Sequence, residues 1–252
     1  MAQLKKIVRF LDTYLRIDEV SDSSWNGLQV EGKQEVQSII CAVDAGKATF
    51  ERALQDRAEM IIVHHGHFWK PMNPSLTGWK KERLSLLGKN KISLYACHLP
   101  LDRHEVVGNN AQLLKLLGAK ITDEFFYHEG KNLGWLGRFI RRRSLREIQE
   151  VLEKALDTRC MVLGFGPQRI RTIAVCSGGG DYRTFYEALE RGVDLYITGE
   201  ASDVYHTAKD AGMNVIFAGH HATETLGVKA LCPLLEKKFK VKAAFVDIPT
   251  GL

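Results

Sequence analysis

Three histidine-rich segments of the sequence each follow a short run of apolar residues. They read IIVHHGHFWK (61–70), LYACHLPLD (94–102) and IFAGHHATE (216–224), and they hold six of the nine histidines. The last two segments also carry a carboxylate four residues after a histidine. Imidazole nitrogens and carboxylate oxygens are the donors from which proteins build divalent-metal sites. The segments therefore predict a metal site, and the alternative is a set of unrelated structural histidines.

Five side chains of these segments are the predicted metal ligands: His64, His65, Asp102, His220 and Glu224. One catalytic zinc ion commonly takes three protein ligands, because it keeps a position open for water. The surplus predicts two divalent ions per chain that share a bridging carboxylate. Zinc, iron, manganese and nickel all accept such ligands, so the identity of the metal stays open.

Two further residues are predicted to be catalytic. His98 lies four residues before Asp102, as His220 lies four residues before Glu224, and Glu200 follows the apolar run LYIT. Either side chain could move protons or line the pocket. The SGGGD segment (177–181) could cradle an anion or form a tight turn.

Apolar, β-branched runs alternate with amphipathic stretches along the chain, which predicts an α/β fold with much parallel pairing. The predicted strands are Ser38–Val43, Met60–Val63, Ile92–Ala96, Leu133–Phe139, Ile170–Cys176, Leu195–Thr198, Val215–Ala218 and Ala243–Val246. The predicted helices are Lys47–Gln55, Lys81–Leu87, Asn109–Leu117, Leu145–Leu156, Tyr182–Leu189, Val204–Ala211 and Thr225–Lys238. Each histidine segment then lies at the carboxyl end of a strand, where α/β proteins gather their ligands.

An internal repeat predicts two similar α/β domains that arose by duplication. IICAVDAGKATFERALQDRAEMIIVHHG matches TIAVCSGGGDYRTFYEALERGVDLYITGE in its order of strand, glycine-containing turn, helix, strand and polar tip. LYACHLPLD matches IFAGHHATE. The break between the two domains is predicted near residues 120–140, where the sequence becomes polar and aromatic (DEFFYHEGKN). The predicted domains are residues 1–125, with a helix over 1–17, and residues 126–252; interleaved domains are the alternative. We expect the metal site in the cleft between them.

The composition favours a globular protein. The chain has 252 residues, 45% of them hydrophobic and 26% charged, and it has no apolar run long enough to cross a membrane. Its N-terminus is amphipathic rather than continuously apolar, which predicts a cytoplasmic protein. The net charge of +5 is only mildly basic and supports a nucleic-acid partner weakly.

The motifs HHGHFWK, HLPLD, GNNAQL (108–113) and GHHATE resemble those of the YbgI/Nif-three-like family, the GTP cyclohydrolase I type 2 homologues. The resemblance runs from WNGLQV (25–30) to the last strand. It implies that the five predicted ligands hold a dinuclear metal centre. It also implies a homohexamer built as a trimer of dimers, and a link to DNA damage through damaged nucleotides.

These observations predict a metal-dependent hydrolase of a nucleotide-like small molecule, cyclohydrolase-like or phosphoesterase-like. Two other interpretations are open: a metal chaperone or sensor without turnover, and a ring-shaped protein associated with nucleic acid.

Overall fold

The computed structural model describes residues 1–252. Its strands are β1 (Ala2–Gln3), β2 (Gly27–Val30), β3 (Glu35–Val36), β4 (Ser38–Asp44), β5 (Met60–His65), β6 (Ser93–Ala96), β7 (Ala119–His128), β8 (Lys131–Ser144), β9 (Met161–Gly164), β10 (Arg169–Cys176), β11 (Leu195–Thr198), β12 (Asn214–Phe217) and β13 (Lys242–Phe245). Its helices are α1 (Leu4–Leu15), α2 (Lys47–Gln55), α3 (Gly78–Asn90), α4 (Leu99–Arg103), α5 (Asn109–Leu117), α6 (Leu145–Leu156), α7 (Tyr182–Glu190), α8 (Tyr205–Ala211) and α9 (His220–Phe239). A short 3-10 helix spans Ile17–Glu19.

The chain forms two compact units, each made from two segments. Unit 1 comprises Met1–Leu101 and Val228–Ile248, and unit 2 comprises Asp102–Gly227 and Pro249–Leu252. The chain passes from one unit to the other inside α4 and again inside α9. The division therefore differs from the boundary predicted after residue 125. Residues 102–125 fall in unit 2, and residues 228–248 return to unit 1.

Unit 1 is built on a five-stranded sheet with the order β13-β4-β5-β6-β2. Strands β13, β4, β5 and β6 run parallel, and β2 pairs antiparallel with β6. The central strands are buried along almost their whole length, as expected for parallel strands covered on both faces. Phe50 of α2, fully buried, packs on the sheet with Ile40 and Ile61. The carboxyl ends of β5 and β6 carry two of the three histidine segments.

Unit 2 is built on a six-stranded sheet with the order β7-β8-β10-β11-β12-β9. Its centre, β10-β11-β12, is parallel, whereas β8, β7 and β9 pair antiparallel at the edges. Phe185 of α7 is fully buried on this sheet, as is Ile148 of α6. The third histidine segment follows β12.

The segment DEFFYHEGKN, where the sequence predicted a break, lies inside unit 2. These residues belong to the hairpin of β7 and β8, which contribute to the sheet of unit 2. Residues 120–124 of β7 are all exposed, so the strand lacks the alternation that identifies a half-buried strand. Glu129 and Gly130 turn the chain with positive φ angles of 42° and 94°, a conformation that suits a tight hairpin.

The helix that carries His220 and Glu224 begins at His220, five residues before the predicted start at Thr225. Both side chains therefore lie in its first turns, four residues apart on one face. No helix of the structure is both long and apolar enough to cross a membrane.

Candidate metal centre

Three histidines of unit 1 lie together at the carboxyl ends of β5 and β6. These strands are parallel neighbours, so the end of β5, with His64 and His65, lies beside His98, which follows β6. One ring nitrogen from each of the three lies within 4.8 Å of those of the other two. The ring centroids are 4.7 Å apart for His64 and His65, and 5.0 Å apart for His64 and His98. The geometry allows these side chains to share a cation.

The three imidazoles are held in the same way. In each ring Nδ1 lies within hydrogen-bonding distance of an oxygen: Cys97 O for His64 (3.0 Å), Asp44 Oδ1 for His65 (2.9 Å) and Asp22 Oδ1 for His98 (2.9 Å). A carbonyl or carboxylate oxygen can only accept, so Nδ1 carries the proton. In the neutral ring Nε2 then carries the lone pair. This arrangement is typical of metal-binding histidines, since the acceptor fixes both the tautomer and the ring orientation.

Asp22 is the most heavily bonded of these acceptors, and its side chain is only 2% exposed. Its two oxygens accept from the backbone N–H groups of Ser24 and Leu99 and from the side chains of Asn26 and His98. Burial acts to raise the pKa of Asp22, but the His98 imidazole and the other donors hold the pKa below its usual value. Asn26 also accepts from the backbone N–H of His98. The turn before β2 therefore positions His98.

In unit 2, His220 and Glu224 face each other at the start of α9. His220 Nε2 lies 3.2 Å from Glu224 Oε2, and His220 Nδ1 lies 2.6 Å from Glu200 Oε1. Donors that bind one ion at about 2.0–2.2 Å lie roughly 3 Å from each other. With Nδ1 donating to Glu200, Nε2 of the neutral ring and the Glu224 carboxylate both present lone pairs, and a cation could bind between them. Glu200, predicted to be catalytic, is placed where it orients His220.

Asp102 lies in α4 and is 6% exposed. Its Oδ1 accepts from Ser177 Oγ (2.9 Å) and from Asn109 Nδ2 (2.8 Å). Asn110, the next residue, donates to the Asp102 carbonyl and accepts from the backbone N–H of Ser177. The GNNAQL motif thus positions Asp102 and joins it to the SGGGD turn.

The SGGGD turn contacts two predicted ligands of unit 2. Ser177 bonds Asp102, and the backbone N–H of Gly178 donates to Thr223 Oγ1 on α9. Gly178 has φ +64°, and a Cβ there would lie 2.2 Å from Glu224 Oε1. Glycine is required because the carboxylate packs directly against the backbone. The segment therefore does more than turn the chain, since it positions the carboxylates of unit 2.

We expect Gly199→Ala to destabilise the protein by about 1–3 kcal/mol, as overpacking of a tight interior does. A Cβ at Gly199 would lie 2.5 Å from the Gly178 carbonyl oxygen and 2.8 Å from the His220 Cα, and neither backbone atom can move alone. Thermal unfolding of the purified variant measures the effect. Gly88→Ala in α3, where a Cβ meets nothing within 4 Å, is the control. Equal stability of the two variants would contradict the packing described for this turn.

The family described as Duf34/NIF3 (NGG1p interacting factor 3) matches residues 2–250. The chain belongs to the Duf34/NIF3 family. A relative in Pyrococcus abyssi is 46% identical and one in Archaeoglobus fulgidus is 42% identical; each is named "GTP cyclohydrolase 1 type 2 homolog", and each match covers at least 98% of both chains. A solved structure of the protein ybgI, of unknown function, has a TM-score of 0.92 at 37% identity and covers 99% of this chain and 100% of its own.

The residues of this Duf34/NIF3 protein fit divalent metal ions by their chemistry. Three of the predicted ligands, His64, His65 and His220, have Nδ1 held by an oxygen, which leaves Nε2 to bind an ion. Glu224 is 3% exposed and Asp102 is 6% exposed, and buried carboxylates in proteins pair with cations or coordinate metals. The His64, His65 and His98 group alone could hold an ion.

The sequence did not reveal the residues whose oxygens accept hydrogen bonds from the histidine rings, nor those that position Asp102. Asp44 had a usable signal, because it ends β4 directly opposite His65 in the parallel pairing of β4 and β5. Asp22 had none, since it lies in a turn 76 residues before His98. Asn109 was noticed only as part of a motif, and Ser177 only as part of a glycine turn.

Proposed function

We propose that this protein is a metal-dependent hydrolase that acts on a nucleotide-like small molecule. Two divalent ions would be held by the five ligands His64, His65, Asp102, His220 and Glu224. The observation that carries the proposal is the shared fixing of imidazole Nδ1 by oxygen acceptors. Histidines with unrelated structural roles would have no reason to share this arrangement, in which Nδ1 is bound by an oxygen and Nε2 is left to bind a metal ion.

Bound at these residues, the ions would supply Lewis-acid chemistry and lower the pKa of a water molecule toward about 7. The chain itself would supply proton transfer. His98 donates from Nδ1 to the buried carboxylate of Asp22, which fixes the orientation of the ring and leaves Nε2 available. His98 can therefore take a proton at Nε2 and return it to a leaving group. Glu200, with its side chain 57% exposed, can exchange protons with solvent as well as orient His220.

The proposed substrate class is supported by the similarity of the chain to its named relatives and by the chemistry of the five metal ligands. The name of the relatives refers to GTP cyclohydrolase, and damaged nucleotides are the related possibility. A cyclohydrolase opens a purine ring and a phosphoesterase cleaves a phosphate ester, and the same five ligands suit either reaction. The proposal therefore extends to a nucleotide-like substrate and leaves the scissile bond open.

The proposal includes a duplicated α/β architecture with the metal centre in the cleft between the two domains, a cytoplasmic location and a homohexameric assembly. The order strand, helix, strand, helix, strand recurs as β4 to β6 and as β10 to β12, which supports a duplication. The native mass of the protein in solution decides the assembly.

We expect the metal-loaded protein to turn over at least one member of a panel of GTP, oxidised nucleotides and phosphodiesters, and His65→Ala to abolish that turnover. The ligand change removes a donor, whereas His206→Ala on the exposed face of α8 should leave the rate unchanged. Product formation is followed by chromatography, with metal content measured on the same samples. Absence of turnover at full metal content would favour the non-catalytic metal-binding interpretation instead.

A further inference from the structure

A group of cationic and aromatic side chains lies at the start of α3 in unit 1. The group consists of His67, Trp79, Lys80 and Arg83, and we call it the α3 cluster. Trp79 is 57% exposed. The Arg83 guanidinium carbon lies 5.1 Å from its centroid, and Lys80 Nζ lies 5.8 Å from it. The indole thus has two cations within about 6 Å of its centroid, and the ring attracts both of them.

His67 is the buried member of the α3 cluster. It is 3% exposed, its ring lies 6.0 Å from the Trp79 ring, and neither of its ring nitrogens has a hydrogen-bond partner. A buried imidazole without partners costs free energy, so a fold that keeps one needs a reason. The Trp79 ring connects His67 with the two cations, because its centroid lies within about 6 Å of the His67 ring, of Arg83 and of Lys80.

Arg83 has an unused capacity to bind an anion. Lys80 Nζ donates to the carbonyl of Asn73, but no carboxylate lies within ion-pair distance of Arg83. The guanidinium has five N–H donors in a planar fork that matches a phosphate or carboxylate. Stacking on Trp79 limits its conformations, so less entropy is lost when an anion binds.

We propose that the α3 cluster is a binding site for the phosphate group of the substrate, with Arg83 and Lys80 as the charged donors and His67 as a buried hydrogen-bonding partner. The inference rests on the proposed function, since it assigns the substrate to the class of phosphorylated nucleosides. The backbone supports this placement. His67 follows the candidate ligand His65 by two residues, and its N–H is anchored 2.7 Å from Gln29 Oε1.

The test measures binding rather than turnover. The full-length protein, both metal-loaded and treated with chelator, is titrated with GMP, inorganic phosphate and guanosine by calorimetry. We expect GMP to bind to both forms, guanosine to bind at least about tenfold more weakly, and Arg83→Gln to weaken GMP about tenfold or more. Lys89→Gln, an equal charge change on the exposed end of α3, is the matched control and should leave the affinity within twofold.

His67→Leu gives a second, independent variant. Leucine fills the buried volume and removes two nitrogens that have no partner, so the variant should unfold at the same temperature as the wild type or higher. Its affinity for GMP should nevertheless fall. Phosphate that competes with GMP and is weakened by the same variants identifies the phosphate group as the part that is bound.

Two results would overturn the proposal: unchanged GMP affinity in Arg83→Gln, or guanosine binding as tightly as GMP. Because the chelated protein is titrated in parallel, these outcomes do not depend on the metal centre. Failure of the hydrolase proposal would instead appear as phosphate binding without turnover.

Discussion

Glu224→Gln is expected to reduce the metal content from about two ions per chain to one or none. The carboxylate lies 3.2 Å from His220 Nε2 and is nearly inaccessible to solvent, so an amide in its place removes a negative charge where solvent cannot replace it. An amide oxygen is also a weaker donor to zinc, iron, manganese or nickel than a carboxylate. Elemental analysis of protein purified without a histidine tag gives the number of ions directly.

Metal loss through unfolding can be separated from loss of a ligand. Glutamine has the shape of glutamate and relieves the desolvation of a buried charge. In excess chelator, Glu224→Gln should therefore unfold at a temperature equal to or higher than that of the wild type. Glu190→Gln, on the exposed face of α7, is the control and should retain full metal content. Full metal content in Glu224→Gln would remove Glu224 from the ligand set.

Asp22→Asn should destabilise the protein by about 3–5 kcal/mol, the range expected when one partner of a buried charged network is removed. Two N–H donors face each oxygen of Asp22, so an amide group in the place of either oxygen turns two hydrogen bonds into repulsive contacts. Denaturant unfolding of wild type and variant measures the difference. Asp18→Asn, an exposed carboxylate of the same segment, should change stability by less than about 0.5 kcal/mol.

The difference in the free energy of unfolding between the wild type and Asp22→Asn should depend on pH, because the pKa of Asp22 is lowered in the folded protein. A carboxyl whose pKa is lower in the folded state stabilises the fold fully above its unfolded value of about 3.9. The stabilisation is lost as the pH falls through the folded value, because the folded carboxyl is then protonated as well. The difference between wild type and Asp22→Asn should therefore be constant near pH 7 and shrink below pH about 4. A difference that grows on acidification would contradict the assignment.

Much of the secondary structure could be predicted because local patterns determine it. Helix α6 was predicted with both of its ends, since its apolar period is regular and Ser144 and Glu147 form a capping box at its start. Strand β11 was predicted from a short apolar run bounded by polar residues. Strand β7 was not predicted, because it lies at the edge of its sheet and its residues 120–124 are all exposed. The strand therefore lacks the alternation of apolar and polar residues that identifies a half-buried strand.

The residues of the candidate site could also be predicted only in part. Histidines that follow apolar runs were visible, because strand ends are marked in the sequence. The residues that hold them were not, because a hydrogen bond such as that of His98 with Asp22 joins positions that are distant in the chain. Such partners come together only when strands pair or a turn folds. The periodicity of the sequence predicts local elements and does not predict these distant contacts.

The return of the chain to unit 1 after residue 227 has a consequence for synthesis of the protein on the ribosome. Strand β13 is the edge neighbour of β4, and it is translated only after the whole 102–227 segment of unit 2. At about 5–20 residues per second, the open edge of β4 stays without its partner for on the order of ten seconds. An apolar strand with an open edge recruits other chains. Yield on rapid overexpression should therefore depend on chaperones that shield nascent chains, more than the stability of the finished fold would suggest.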